Sequence, residues 1–180
     1  MSRIKDLQYL HPTVKNRIVE LEKRIQDKKL PLIRLETYRT PYRQFVLWQY
    51  GRTISHTRIR TRTLISAHAL LCAVDYAIYR DGNFDWRDND ENIAVYKQLL
   101  EEARECGLKT GAAWKNEDWG HVYTYGGLSW NDLKQGEVFE PGKLTKDLLT
   151  LFLNSLKIAK RIEKVVKSAN SAEEIIKLSL

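Results

Sequence analysis

Ser66-Ala-His68 runs into Ala73-Val-Asp75, and Asp118-Trp-Gly-His121 follows well downstream. Two neutral imidazoles and one carboxylate are a set that a catalytic zinc ion takes from a protein, with a fourth position left for water. Zinc lowers the pKa of that water from 15.7 to about 7, so hydroxide becomes available at neutral pH. A further carboxylate nearby can carry the proton. Asp118, three residues before a candidate ligand, is placed for that task, with Glu117 as its neighbour and rival. Taken singly, His68 reads equally well as a core histidine with a backbone partner, and Asp75 as a turn or cap residue.

The elements around this set have to position it. Leu64, Ile65, Ala67 and Ala69 to Ala73 are apolar, and Ala73 to Tyr79 reads as a buried strand. Asp75 would then be a carboxylate on a core strand, which needs a cation or donors to stay charged. Upstream, Pro12 starts a helix whose stripe is Val14, Ile18, Leu21 and Ile25 and which ends near Lys28. Leu32 to Glu36 follows as a strand. Thr40 then caps a helix from Pro41 through Tyr50, closed by Gly51, which sets Arg39 at a strand-to-helix corner. His56 to Thr63 alternates Arg58, Arg60 and Arg62 with Thr and Ile, which predicts a strand with one basic face: an anion or nucleic-acid contact, a contact with substrate carboxylates, or a solvated edge. His56 itself reads as a surface histidine.

Downstream, Asn83 to Asn89 is a polar loop, and Asn89 or Asp90 caps a helix through Glu105 with Ile93, Leu99 or Leu100, and Ala103 inward and Gly107 as the stop. His121 to Tyr125 reads as a strand with Asp118 on the loop before it. Trp114, Trp119, Tyr123 and Trp130 are candidates either for a cleft wall or for packing. Thr145 to Lys167 forms a long basic amphipathic helix, and Ser171-Ala-Glu-Glu174 a capping box for a last short one. The expected fold is α+β: a small antiparallel sheet flanked by helices over residues 1–142, then a helical tail over 143–180. That tail either packs on the same domain or meets a membrane surface or anionic envelope polymers.

The motifs resemble those of the zinc peptidases of bacterial cell-wall metabolism, which include D-alanyl-D-alanine carboxypeptidases, vancomycin-resistance D,D-peptidases and phage L-alanyl-D-glutamate endopeptidases. Ser66, His68, Ala73 and Asp75 fall on that family's first signature, and Asp118 and His121 on its second. Glu36-Thr-Tyr-Arg39-Thr-Pro-Tyr-Arg-Gln44 and Gln49-Tyr-Gly-Arg52-Thr53 look like its upstream elements, in the right order over residues 6 to 125. The resemblance implies His68, Asp75 and His121 as ligands of Zn2+ and Asp118 as general base and acid. It implies Arg39, a permanent cation with forked donors, as the group that polarises the scissile carbonyl. Its implied substrate is the peptidoglycan stem peptide. The Arg39 to Arg52 stretch is closest to the endopeptidases, while D,D-carboxypeptidase or dipeptidase activity uses the same metal apparatus. In one respect the chain departs from the pattern: the family's glycine between His and Asp is Leu71 here, and Ile65 precedes the serine.

Composition sets wider bounds. At 180 residues with 43% hydrophobic content the chain is long enough for one well-filled core. Cys72 and Cys106 have no metal-type spacing and read as free thiols of a reducing compartment. The N-terminus lacks an apolar signal region, so synthesis in the cytoplasm without a signal peptide, and action on the cell wall after release as phage lysis enzymes act, is the expectation. The formal charge of +7 favours polyanions. Residues 143–167 carry seven basic against two acidic side chains. The rival from another class is a basic nucleic-acid-binding protein without catalysis; the metal-peptidase reading involves no nucleic acid.

Overall fold

The computed structural model describes residues 2–169, 171, 174 and 175. Helix α1 (Pro12–Asp27) buries the stripe Val14, Ile18, Leu21 and Ile25. Strand β1 (Leu32–Glu36) leads to α2 (Pro41–Gln49), where Thr40 Oγ1 accepts from the Arg43 amide at 3.2 Å. Then come β2 (Ala73–Arg80), β3 (Asn83–Phe84), α3 (Asp90–Glu105), β4 (Lys109–Gly111), β5 (Asp118–Tyr123), α4 (Trp130–Gln135) and α5 (Lys146–Ser168). The strands pair antiparallel in the order β1-β2-β5-β4, with β3 folded back on the end of β2. The fold is α+β, with a small antiparallel sheet flanked by helices.

Side chains alternate across β2. Val74, Tyr76 and Ile78 are buried on one face, where the Tyr76 hydroxyl donates to Glu22 of α1 at 3.2 Å. Asp75 points to the other face, which opens into a cleft. Helix α5 packs on α2 and sends Phe152, Leu156 and Ala159 into the core. Tyr38 Oη and Ser155 Oγ share a buried hydrogen bond of 2.8 Å. The outward side of α5 carries exposed Lys157, Lys160, Arg161, Lys164 and Lys167.

In four places the structure corrects the sequence expectation. No strand forms over residues 56–63: Arg58, Ile59 and Arg60 are all exposed, so the alternation has no apolar face to bury. That segment is held by side chains of α2 and the turn after it: Gln44 Nε2 donates to Thr61 Oγ1 (3.0 Å) and Thr63 O (2.7 Å), and Arg52 Nη1 to Thr61 O (3.0 Å). Strand β5 begins at Asp118, not His121, and ends at Tyr123. The polar loop opens with the short pairing of β3. On α3, Ile93 is half-buried, and Asn92, Val95, Leu99, Glu102 and Ala103 make the inward stripe. Of the short last helix expected from Ser171, the described residues retain Ser171 Oγ accepting from the Glu174 amide at 3.3 Å, and the rest lies outside them. Among the described residues no helix is long and apolar enough to cross a membrane.

Candidate metal centre

Register places the site. Glu36 of β1 pairs with Asp75 of β2, and Asp75 pairs with His121 of β5, so one rung across three strands carries all three side chains. Asp118 and His121 are three apart, which in a regular strand would send them to opposite faces. Between them β5 bulges away from β4, whose Thr110 pairs with Val122 and whose Gly111 pairs with Asp118. A bulge re-aims side chains in this way, and both residues line the same cleft. Gly120 makes the bulge possible, because a Cβ there would lie 2.3 Å from the Tyr76 carbonyl oxygen.

His68 comes from a helical turn just before β2. Cys72 N–H bonds to Ala67 O (3.0 Å) and Leu71 N–H to His68 O (3.3 Å). These are the two bonds of a Schellman closure, whose penultimate residue is left-handed and usually glycine. Here that residue is Leu71, with φ 62 and only 1% of its surface exposed. Leu71, which stands where the resembling family has glycine, thus takes a backbone conformation that glycine would accept freely. Its carbonyl is taken up by the His11 amide at 3.0 Å.

The turn aims one imidazole nitrogen inward. His68 Nδ1 lies 2.8 Å from the Thr37 carbonyl, so it carries the proton and leaves Nε2 as a lone pair. That Nε2 stands 3.0 Å from Asp75 Oδ1 and 3.2 Å from His121 Nδ1, and His121 Nδ1 stands 2.8 Å from Asp75 Oδ1. Burial holds the His68 imidazole below its ordinary pKa.

Acceptor atoms of His68 and Asp75 thus face each other with at most the His121 proton between three groups, an arrangement that calls for a cation. The donor set also fits zinc in size: ligand atoms at 2.0–2.2 Å in a tetrahedron stand about 3.3 Å apart, against the 2.8, 3.0 and 3.2 Å found. Among the described residues, no other group of His, Cys, Asp and Glu converges this way. Both cysteines are free and take no part. His121 Nε2 is buried without a hydrogen-bond partner, next to the Trp114 ring at 4.9 Å between centroids.

Glu36 extends the rung into an ionic cluster with Arg39 and Arg43, and of these three sequence reasoning assigned a role to Arg39 alone. Glu36, 2% exposed, accepts from Arg39 Nε (2.8 Å) and Nη2 (2.6 Å) with one oxygen and from Arg43 Nε (2.6 Å) with the other. Arg39 Nη2 also donates to Asp75 Oδ2 at 2.8 Å, and Nη1 to Gln44 Oε1 at 3.0 Å. Burial opposes the Arg39 charge, but Asp75 and Glu36 more than compensate and raise its pKa further. Four of its five N–H groups are committed, and one on Nη1 remains. The spacing Glu36, Arg39, Arg43 across a strand end and a helix start was the available signal.

The cleft above holds about 530 Å³ and is walled by Trp114, Tyr123, Tyr125 and Trp130. Trp119 is turned away, its Nε1 bonded to Glu117 Oε2 at 3.0 Å. Asp118 stands in the cleft outside the three-residue cluster, exposed at the mouth. Although the residue as a whole opens to solvent, protein atoms of the cleft surround its carboxyl; that local loss of solvent, and then the Asp75 charge, raise its pKa. Glu117 faces an adjoining groove instead, and His56 lies on the exposed loop.

Neither a family model nor a curated protein sequence matches the chain. Among solved structures, the chain is similar to the crystal structure of the Serratia marcescens L-Ala D-Glu endopeptidase ChiX. The match has 24% identity and a TM-score of 0.50, and covers 72% of this chain and 92% of that one. The chain therefore shares the fold of that L-Ala D-Glu endopeptidase.

Proposed function

We propose that this chain is a zinc-dependent peptidase that hydrolyses an amide of the peptidoglycan stem peptide, between L-alanine and D-glutamate. The observation that carries the reading is the convergence of His68 Nε2, Asp75 Oδ1 and His121 Nδ1 under a cleft that also holds Asp118. The shared fold with the Serratia endopeptidase and the ordered motifs support it.

These three atoms would hold zinc, which when bound acidifies water and polarises a carbonyl. The remaining work falls to side chains. Asp118 takes the proton of the attacking water and passes it to the departing amine, and its raised pKa brings it nearer the pH at which both transfers are matched. Arg39 fixes Asp75 through Oδ2 and turns its one uncommitted N–H towards negative charge that develops on the carbonyl oxygen. Trp114, Tyr125 and Trp130 shield the reacting groups from bulk water. The resemblance of residues 39–52 to phage enzymes supports a role in host cell lysis. The exposed lysines of α5 then serve attraction to the anionic envelope.

Elemental analysis of purified protein tests the metal, with about one equivalent of zinc expected and under about a tenth of an equivalent refuting it. Digestion of purified peptidoglycan tests the bond. New D-glutamate amino termini are expected, whereas released D-alanine would move the chain to the D,D-peptidases.

A further inference from the structure

The cleft over the metal centre continues into a second groove of about 510 Å³, and Arg60, Thr61, Thr63, Trp114 and Asp118 line both. The second groove adds Arg62 and Lys115, with Glu117 as its added acidic residue. Among the described residues no carboxylate pairs with Arg60, Arg62 or Lys115. Arg60 rests 6.0 Å from the Tyr50 ring centre, and Arg62 acts on Arg52, whose pKa falls through burial and then through that like charge.

This concentration of positive charge stands on a fixed backbone. Besides the bonds from Gln44 and Arg52 to Thr61 and Thr63, the loop lies so close to Gly51 that a Cβ there would be 2.7 Å from Ile59 N. Gly51 has φ 71, which glycine alone adopts freely. Arg60, Arg62 and Lys115 outnumber Glu117 and Asp118 along the groove and, among the described residues, form no ion pair with them, so their like charges repel each other. An anionic ligand in the groove relieves that repulsion, and the groove opens directly onto Asp118.

We propose that this groove is a subsite for a free carboxylate of the substrate peptide next to the scissile amide, with Arg60 and Arg62 as its readers. The proposal rests on the peptidase reading. An in-chain glutamyl residue uses one carboxyl in the following amide and keeps the other, so a peptide cut on the amino side of glutamate carries such a group beside the reacting bond. The enzyme then selects stem peptides with the free acid over those in which that acid is a primary amide. Charge-assisted hydrogen bonds supply the difference.

The test uses the full chain and two synthetic stem peptides that differ only in this carboxylate or carboxamide. The zinc-loaded protein should show kcat/KM about tenfold higher for the acid form, a preference carried by KM. The R60Q/R62Q double variant should bring the two peptides within about twofold, while Arg58→Gln, on the same loop but in neither groove, should keep the preference. Titration calorimetry of the zinc-free protein reads the same ratio without turnover. If neither peptide is cut yet the acid form still binds about tenfold tighter, through Arg60 and Arg62, the subsite stands and the peptidase reading fails. Equal cleavage and equal binding of both forms overturns the subsite, as does a preference that survives R60Q/R62Q. Tight binding of a single-stranded oligonucleotide through the same arginines, with no discrimination between the peptides, would assign the groove to phosphate instead.

Discussion

Substitution of Leu71 separates two contributions that ordinarily act together. The residue is 1% exposed, so Leu71→Ala removes a buried side chain at a cost of roughly 2–5 kcal/mol. Leu71→Gly removes the same side chain and, on ordinary backbone, would be about 0.5–1 kcal/mol worse than alanine. At φ 62 the comparison reverses, because a Cβ in the left-handed region costs about 1–2 kcal/mol that glycine does not incur. Subtracting the midpoints leaves Leu71→Gly about 0.7 kcal/mol more stable than Leu71→Ala, with both below the wild type. Urea unfolding at one fixed zinc concentration gives the ordering, provided the slope is unchanged among the three proteins. An alanine variant as stable as the glycine variant, or more so, would refute the Schellman closure as the reason this position is special.

Glu36→Gln leaves Arg39 and Arg43 without their shared buried carboxylate and should destabilise the protein by roughly 3–5 kcal/mol, read by urea unfolding. A loss under about 1 kcal/mol would mean that the two guanidiniums find other partners. Gly120→Ala drives a Cβ against the Tyr76 carbonyl, so β5 must lift from β2; a cost of about 1–3 kcal/mol and weaker zinc binding are expected. Gly142→Ala, where a Cβ meets nothing within 4 Å, should do neither. The Glu102 carboxyl is held below its ordinary pKa by Lys28 first and then Arg24. Its contribution to stability is therefore present above the unfolded carboxylate pKa and lost as pH falls through the lowered folded value. Tm against pH for the wild type and Glu102→Gln should accordingly converge on acidification, and a constant gap would refute the assignment.

What the sequence carried legibly was local. The Val14, Ile18, Leu21, Ile25 stripe and the Thr40-Pro41 start are set by neighbours within a turn or two, and both stand as read. Likewise, His68, Asp75 and His121 stood out by residue type, and the structure brings the three together. Other features depend on distant partners. The row Glu36, Asp75, His121 is a matter of strand register, which no local pattern fixes, and the start of β5 at Asp118 follows from a bulge against β4. Arg58, Arg60 and Arg62 alternate as a strand would, yet Gln44 and Arg52 occupy the polar groups that a ladder needs. At Leu71 a residue with no turn preference conceals a left-handed backbone, and only its position against the family glycine gave a sign of it.

The bond between Tyr38 and Ser155 joins residues 117 positions apart. On a ribosome that adds about 5–20 residues per second, the second partner is made about 6–23 s after the first. Through that interval Phe152, Leu156 and Ala159 are missing from the core that α2 rests on, and the Arg39 corner adjoining Tyr38 has no finished support. The emerging chain thus carries His68, Asp75 and His121 before the core behind them is complete. Closure of the core around these strands therefore waits for translation to reach α5.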